Sequence, residues 1–220
     1  MTSERHGHQG HQSHDAHGSP GQRAEGQRTN RFDPKHAVRL YSEERSQMTP
    51  AGPILRAAGV DAGQIVVDLG AGPGFFTLPA ARLVGSGGRV YAVDVQPGML
   101  EVCQRRAAEA GITWIETVRS EESRVPLPDA TADRVVIAFV LHEADDPAAL
   151  LREAVRLLRP DGEVAVVESP KIEGTPGPPM EHRIGEDELA ALAARVGLSA
   201  SPVEQRGARY YVLRLRRVRR

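Results

Sequence analysis

The sequence predicts an α/β protein: an open, doubly wound sheet of seven strands, mostly parallel, with an antiparallel edge. Three observations carry this expectation. From Ile65 to Val196, short apolar runs of strand length alternate with stretches whose apolar residues recur at helical spacing. The first run empties into a glycine-rich turn, Gly70-Ala71-Gly72-Pro73-Gly74, that leads into a helix. The last two runs, Ala200 to Val203 and Arg209 to Leu215, have no helical stretch between them and read as an antiparallel pair.

Taken in order, residues 1–30 are rich in Gly, Gln, Ser and His and almost free of aliphatic residues. Such a segment buries too little apolar surface to offset its ordering entropy, so a disordered tail is expected. Its His6, His8, His11, His14 and His17 resemble weak metal ligands, but a solvated polar tail is the preferred reading and no metal site is assigned. Residues 31–60 are expected to carry leading helices, covering either the site or simply one face of the sheet: Asp33-Pro34 suits a helix start, and Thr49-Pro50 opens a second helix with Ile54, Leu55 and Ala58 on one face and Gly59 at its end. The main domain spans 61–220. Its first strand is Ile65 to Leu69, and the helix behind the glycine turn starts near Gly74. Arg89 to Val93 is the second strand. A helix from Gln96-Pro97 carries Leu100, Cys103, Ala107 and Ala110 on its apolar face and stops at Gly111. Ile112 to Val118 is the third strand. Asp133 to Val140 is nearly all apolar, as a central strand covered on both faces must be. Asp146-Pro147 starts an amphipathic helix through Leu158, stopped by Arg159-Pro160-Asp161-Gly162, and Glu163 to Glu168 is the fifth strand. Ser169 to Met180, broken by prolines and glycines, reads as a loop or lid. Gly185 to Val196 is the last helix.

A ligand in such a sheet lies at the carboxyl ends of the strands. Glycines at alternate positions let the backbone approach it, and the helix start behind them offers free N–H groups. Phe75 stands where a dinucleotide fingerprint has its third glycine, and Asp68 is a poor neighbour for a pyrophosphate but a good one for a cation. A nicotinamide-dependent oxidoreductase is therefore disfavoured.

Asp68-Leu69-Gly70-Ala71-Gly72-Pro73-Gly74 resembles the first motif of the class I S-adenosylmethionine (SAM) methyltransferases, which share a Rossmann-like sheet, and Val90-Tyr91-Ala92-Val93-Asp94 resembles their second. The resemblance spans about residues 50–215 and is nearest to the ubiquinone/menaquinone-biosynthesis group. It implies SAM as cofactor, with Gly70, Ala71, Gly72 and Gly74 against its methionine and ribose parts. By the same resemblance Asp68 takes the amino group and Asp94 the ribose hydroxyls, and Val95 and Phe139 complete the contacts. An acid after the third strand, Glu121 or its neighbour Glu122, accepts from the adenine amino group; relatives often carry Asp-Ala there, so both glutamates stand as candidates.

A SAM methyl is already activated, so the protein needs only to align an acceptor and, where required, take its proton. His142 and Glu143 after the fourth strand and Glu168 at the end of the fifth fall on that rim and are the catalytic candidates. A packing role on the turn competes for His142. The nucleic-acid amine motif Asn/Asp-Pro-Pro-aromatic is missing, position 138–142 reading Ala-Phe-Val-Leu-His, and the one cysteine, Cys103, sits on a helix's core face. A small-molecule acceptor, methylated at O, N, C or S by in-line displacement, is what remains. A SAM-binding regulator without transferase activity is the alternative.

Lys+Arg 28 against Asp+Glu 29 leaves a formal charge of −1, which offers no global field for nucleic acid or an anionic membrane. No apolar run approaches the roughly 20 residues a membrane span needs, and the start lacks an apolar signal segment. A cytoplasmic location is expected. The basic end from Arg214 reads as solvated.

Overall fold

The computed structural model describes residues 40–122 and 124–218. The histidine-bearing tail, the Asp33-Pro34 helix start and the final two arginines lie outside them. Two short helices lead, α1 (Glu43–Met48) and α2 (Ala51–Ala57). The core then runs β1 (Ile65–Leu69), α3 (Thr77–Val84), β2 (Arg89–Asp94), α4 (Pro97–Glu109), β3 (Ile115–Arg119) and β4 (Ala132–Ala138). It continues with α5 (Pro147–Leu157), β5 (Leu158–Glu168), α6 (Glu186–Arg195), β6 (Leu198–Pro202) and β7 (Tyr211–Arg217). Strand order is β3-β2-β1-β4-β5-β7-β6. Every neighbouring pair from β3 to β5 is parallel, and β7 runs antiparallel to both β5 and β6.

Side chains alternate across the strands, so adjacent residues feed opposite cores. Val67, Leu69 and Val135 pack with Leu151, Leu157 and Leu189 of α5 and α6. Val66, Val90 and Val136 pack on the other face with Ile54 and Leu55 of α2 and Ala81 and Val84 of α3. Cys103 of α4 closes a smaller cluster with Ala92 and Leu78, fully buried. Burial pushes its thiol pKa up to about 12, so it is a core side chain and not a thiolate nucleophile.

The last two strands are displaced by about two residues, to Leu198–Pro202 and Tyr211–Arg217, and four other boundaries differ from expectation for a local reason. The first core helix starts at Thr77 rather than near Gly74, because Gly74 has a left-handed backbone (φ 85°) that no α-helix contains. Ile112 lies in the turn that closes α4, its N–H donating to the Ala107 carbonyl, and β3 begins only at Ile115. The fourth strand stops at Ala138, since Phe139 turns to φ 59°. The fifth begins at Leu158, but its register jumps from Ala132↔Leu158 to Arg134↔Glu163, so the Arg159–Gly162 turn is looped out of the ladder.

Candidate active site

The strand order reverses between β1 and β4, the switch point where a doubly wound sheet opens a crevice at its carboxyl edge. A cleft of about 810 Å³ occupies this place. Its floor is the glycine turn. Gly70 and Ala71 donate to the Val93 carbonyl at 2.8 and 2.9 Å, tying the turn to β2. Two of its glycines serve different ends. A Cβ on Gly70 (φ 74°) would sit 2.4 Å from Val140 Cγ2, so that glycine permits close packing of the turn on the end of β4. A Cβ on Gly72 (φ 53°) would meet nothing within 4 Å although the residue lines the cleft, so that glycine keeps a ligand-sized space open.

Three acids frame the cleft. Asp68, 2 % exposed, accepts from Thr77 Oγ1 at 2.6 Å. Burial raises its pKa to about 7, which Thr77 opposes and the charge of Asp94 reinforces. Asp94 at the end of β2 accepts from the N–H groups of Gly72 and Gln96, both at 2.8 Å, and so couples the two loops that meet there. Of the two candidate glutamates after β3, Glu122 lines the cleft, its Oε1 accepting from the Asp145 N–H at 3.0 Å. Glu121 is exposed, outside the lining. Gly74 packs inward against Cys103 and Leu78, so of the sequence-derived cofactor set Asp68, Gly70, Ala71, Gly72, Asp94, Val95, Glu122 and Phe139 share the cleft.

At the other side, Leu141–Glu143 form a short 3-10 turn that projects His142 into the cleft. Its Nδ1 lies 2.8 Å from Oε2 of Glu168, a fully buried carboxylate that also receives the His142 N–H at 3.4 Å. A carboxylate only accepts, so Nδ1 carries the proton and, in the neutral ring, Nε2 carries the lone pair. Glu143 Oε1 stands 3.7 Å from Nε2. Burial alone would lower the His142 pKa, but the hydrogen bond and charge of Glu168, with Glu143, outweigh it and hold the ring above its ordinary value. The Glu143 carboxyl is itself raised, first by burial and also by Glu168 and Asp94, against the pull of His142.

Several cleft residues were not legible in the sequence. Arg45 of α1 lies over the rings of Phe75 and Phe139, 4.8 and 5.3 Å from their centroids. Burial, then the neighbouring charge of Arg209, lowers its pKa to about 10. Met48, Thr49 and Ser169 also line the cleft. The proline-rich loop, by contrast, was expected from the sequence, and it supplies Pro176, Gly177 and Pro178 to the lining. That loop is held by buried Arg183, which donates to the carbonyls of Pro170, Ile172, Thr175 and Pro178 and to Thr175 Oγ1. No residue spacing announces such a clamp, because all but one of its acceptors are backbone atoms.

Comparison with known proteins follows the same lines. A family described as a methyltransferase domain matches residues 67–166. The ubiquinone/menaquinone biosynthesis C-methyltransferase of Marinomonas sp. (strain MWYL1) is 37% identical over 117 residues, 53% of this chain and 47% of that one. The chain thus spans about half the length of the curated relatives it matches. The crystal structure of a SAM-dependent methyltransferase from Aquifex aeolicus superposes with a TM-score of 0.80 at 30% identity, covering 84% of this chain and 98% of that one. The chain belongs to the SAM-dependent methyltransferases. Membership sets aside the nicotinamide reading, and SAM is the family's cofactor. The donor set of the cleft fits it: acids and the Arg45 guanidinium surround an open glycine cradle, and His142 lines the same cleft. The [4+2]-cyclase SpnF has the same fold at 19% identity, with a TM-score of 0.67, so the sheet alone does not set the reaction. Among the described residues no helix is long and apolar enough to cross a membrane, and no cluster of His, Cys, Asp and Glu is placed to hold a metal ion.

Proposed function

We propose that this chain transfers the SAM methyl group to a small-molecule acceptor whose nucleophile must first lose a proton, with His142 as general base and Glu168 as its orienting partner. One observation carries the proposal: the 2.8 Å pairing of His142 Nδ1, a cleft-lining residue, with the fully buried carboxylate of Glu168. That pairing leaves Nε2 as the accepting atom, and the raised pKa makes it a stronger base. As Nε2 takes the acceptor's proton, Glu168 sits ready to stabilise the imidazolium. Glu143, close to Nε2, borders the same spot and shapes the approach.

Bound in this cleft, SAM supplies a methyl on a positively charged sulfur, open to attack. The chain's part is to hold it. Asp68 is suited to the ammonium group, Asp94 to the ribose hydroxyls, and Glu122 to the adenine amino group. Arg45, cushioned on the rings that follow the glycine turn and β4, is suited to the methionine carboxylate. The relatives named as C-methyltransferases of quinone biosynthesis favour a phenolic or enolic acceptor. Deprotonating such a hydroxyl makes either the oxygen or the adjacent carbon nucleophilic.

His142→Ala and His142→Asn test the base. Candidate acceptors are screened for release of S-adenosylhomocysteine, and SAM affinity is measured separately by calorimetry. Turnover should fall by about 10²–10⁴-fold with SAM affinity little changed. Unchanged turnover on the acceptor would end the role of His142. A wild-type protein that binds SAM and its product but releases no S-adenosylhomocysteine with any acceptor would favour the regulator instead.

A further inference from the structure

Two arginines, Arg45 and Arg209, line the cleft beside its acids. Arg209 lies in the turn between β6 and β7 and reaches back to α1, where its Nη1 donates to Met48 Sδ at 3.0 Å. A thioether is a weak acceptor, and a guanidinium presents five donors. Among the described residues neither Arg209 nor Arg45 has an ion pair, and the Arg45 guanidinium rests on aromatic faces with no oxygen partner. Both arginines line the same cleft, close enough for the charge of Arg209 to depress the pKa of Arg45. By contrast, Arg134, Arg214 and Arg216 share the carboxylate of Glu163. Glu143 offsets part of the repulsion at Arg45, but among the described residues no carboxylate bridges the two guanidinium groups, so a further anion is favoured beside them.

SAM brings a single carboxylate. Arg45, on Phe75 and Phe139 beside the glycine turn, faces the cofactor's side. Arg209 reaches the same cleft from the β6–β7 turn, against Met48 of α1 and away from the glycine turn in sequence, and the Pro176–Pro178 segment lines that cleft too. We propose that Arg209 binds a carboxylate of the acceptor, so that the substrate class is a hydroxylated acid and not a neutral phenol or enol. Recognition divides between two groups: Arg209 takes the acid, and His142 the hydroxyl proton. This rests on the transferase reading above, since it assigns the second ligand of the same cleft.

The test uses the full chain loaded with S-adenosylhomocysteine. Hydroxylated benzoic and naphthoic acids are titrated against their methyl esters by calorimetry, and the same pairs are assayed for methylation with SAM. Wild type should prefer acids over esters by about tenfold to a hundredfold, the range of a charge-assisted hydrogen-bonded pair. Arg209→Gln should erase that preference with SAM affinity unchanged, and Arg209→Lys should keep part of it. Arg206→Gln, which breaks only the surface pair with Glu186, should behave as wild type. The proposal is overturned if no acid is preferred, if the preference survives Arg209→Gln, or if Arg209→Gln weakens SAM instead. Failure of wild type to bind SAM at all would be a different result, and it would remove the transferase reading itself.

Discussion

Replacing Glu168 by Gln isolates the contribution of one buried charge. The substitution keeps shape and lets the amide oxygen accept from His142 Nδ1, so the ring should stay in place while its counter-charge is lost. Two effects follow. In the wild-type protein burial lowers the His142 pKa, and the hydrogen bond and charge of Glu168 raise it above 6.5. Without that charge burial dominates, and the pKa falls. A base works in its neutral form, so activity rises with pH through the His142 midpoint; in Glu168→Gln this midpoint should move toward acid. The plateau should fall as well, because the imidazolium formed during proton transfer loses its partner. A hydrogen bond to a charged group contributes about 1.5–3 kcal/mol, which corresponds to roughly ten- to a hundredfold in rate. Stability carries the same signature. A histidine whose folded pKa is raised adds stability that is fully present below about 6.5 and is lost as pH rises through the folded value. Melting temperatures of wild type and variant should therefore separate more at pH 6 than at pH 9. Turnover against pH, melting temperature against pH and SAM affinity are the three measurements. An unchanged midpoint together with an unchanged plateau would refute the dyad.

Two further predictions separate packing from binding and locate a proton. Gly70→Ala, with its Cβ driven to 2.4 Å from Val140 at a left-handed backbone, should lower stability by more than the roughly 1–2 kcal/mol of that conformation alone, read by chemical denaturation. Gly72→Ala should cost about the conformational 1–2 kcal/mol and fold, yet lose SAM affinity in calorimetry, since its methyl group enters open cleft; full affinity would deny that the cleft holds SAM there. Asp68, with a folded pKa of about 7 against 3.8, opposes folding as pH rises from near 4 toward 7, so Asp68→Asn should melt higher than wild type at pH 8. The same shift means that SAM binding at pH 6 should release a proton as its ammonium group draws Asp68 into the charged form. Binding enthalpies at pH 6 that do not vary with the buffer's ionisation enthalpy would contradict it.

The amino-acid sequence by itself determined the local structure. Period-2 and helical spacings, proline starts and glycine stops placed seven strands and their helices to within a few residues, because each rests on backbone geometry a few bonds long. The glycine turn, Asp68 and Asp94 were legible for the same reason, as they lie at the ends of β1 and β2. What only the tertiary structure decided is who meets whom. His142 and Glu168 come together because β4 pairs in parallel with β5, bringing Ala138 beside Val167. Whether Glu121 or Glu122 faces the cleft depends on how the chain leaves β3, where no periodic element sets the direction of a side chain. Arg45 and Arg209 share one cleft only after α1 and the β6–β7 turn close over it. Solitary arginines so far apart carry no spacing to read, since long-range closure, and not local geometry, makes them neighbours.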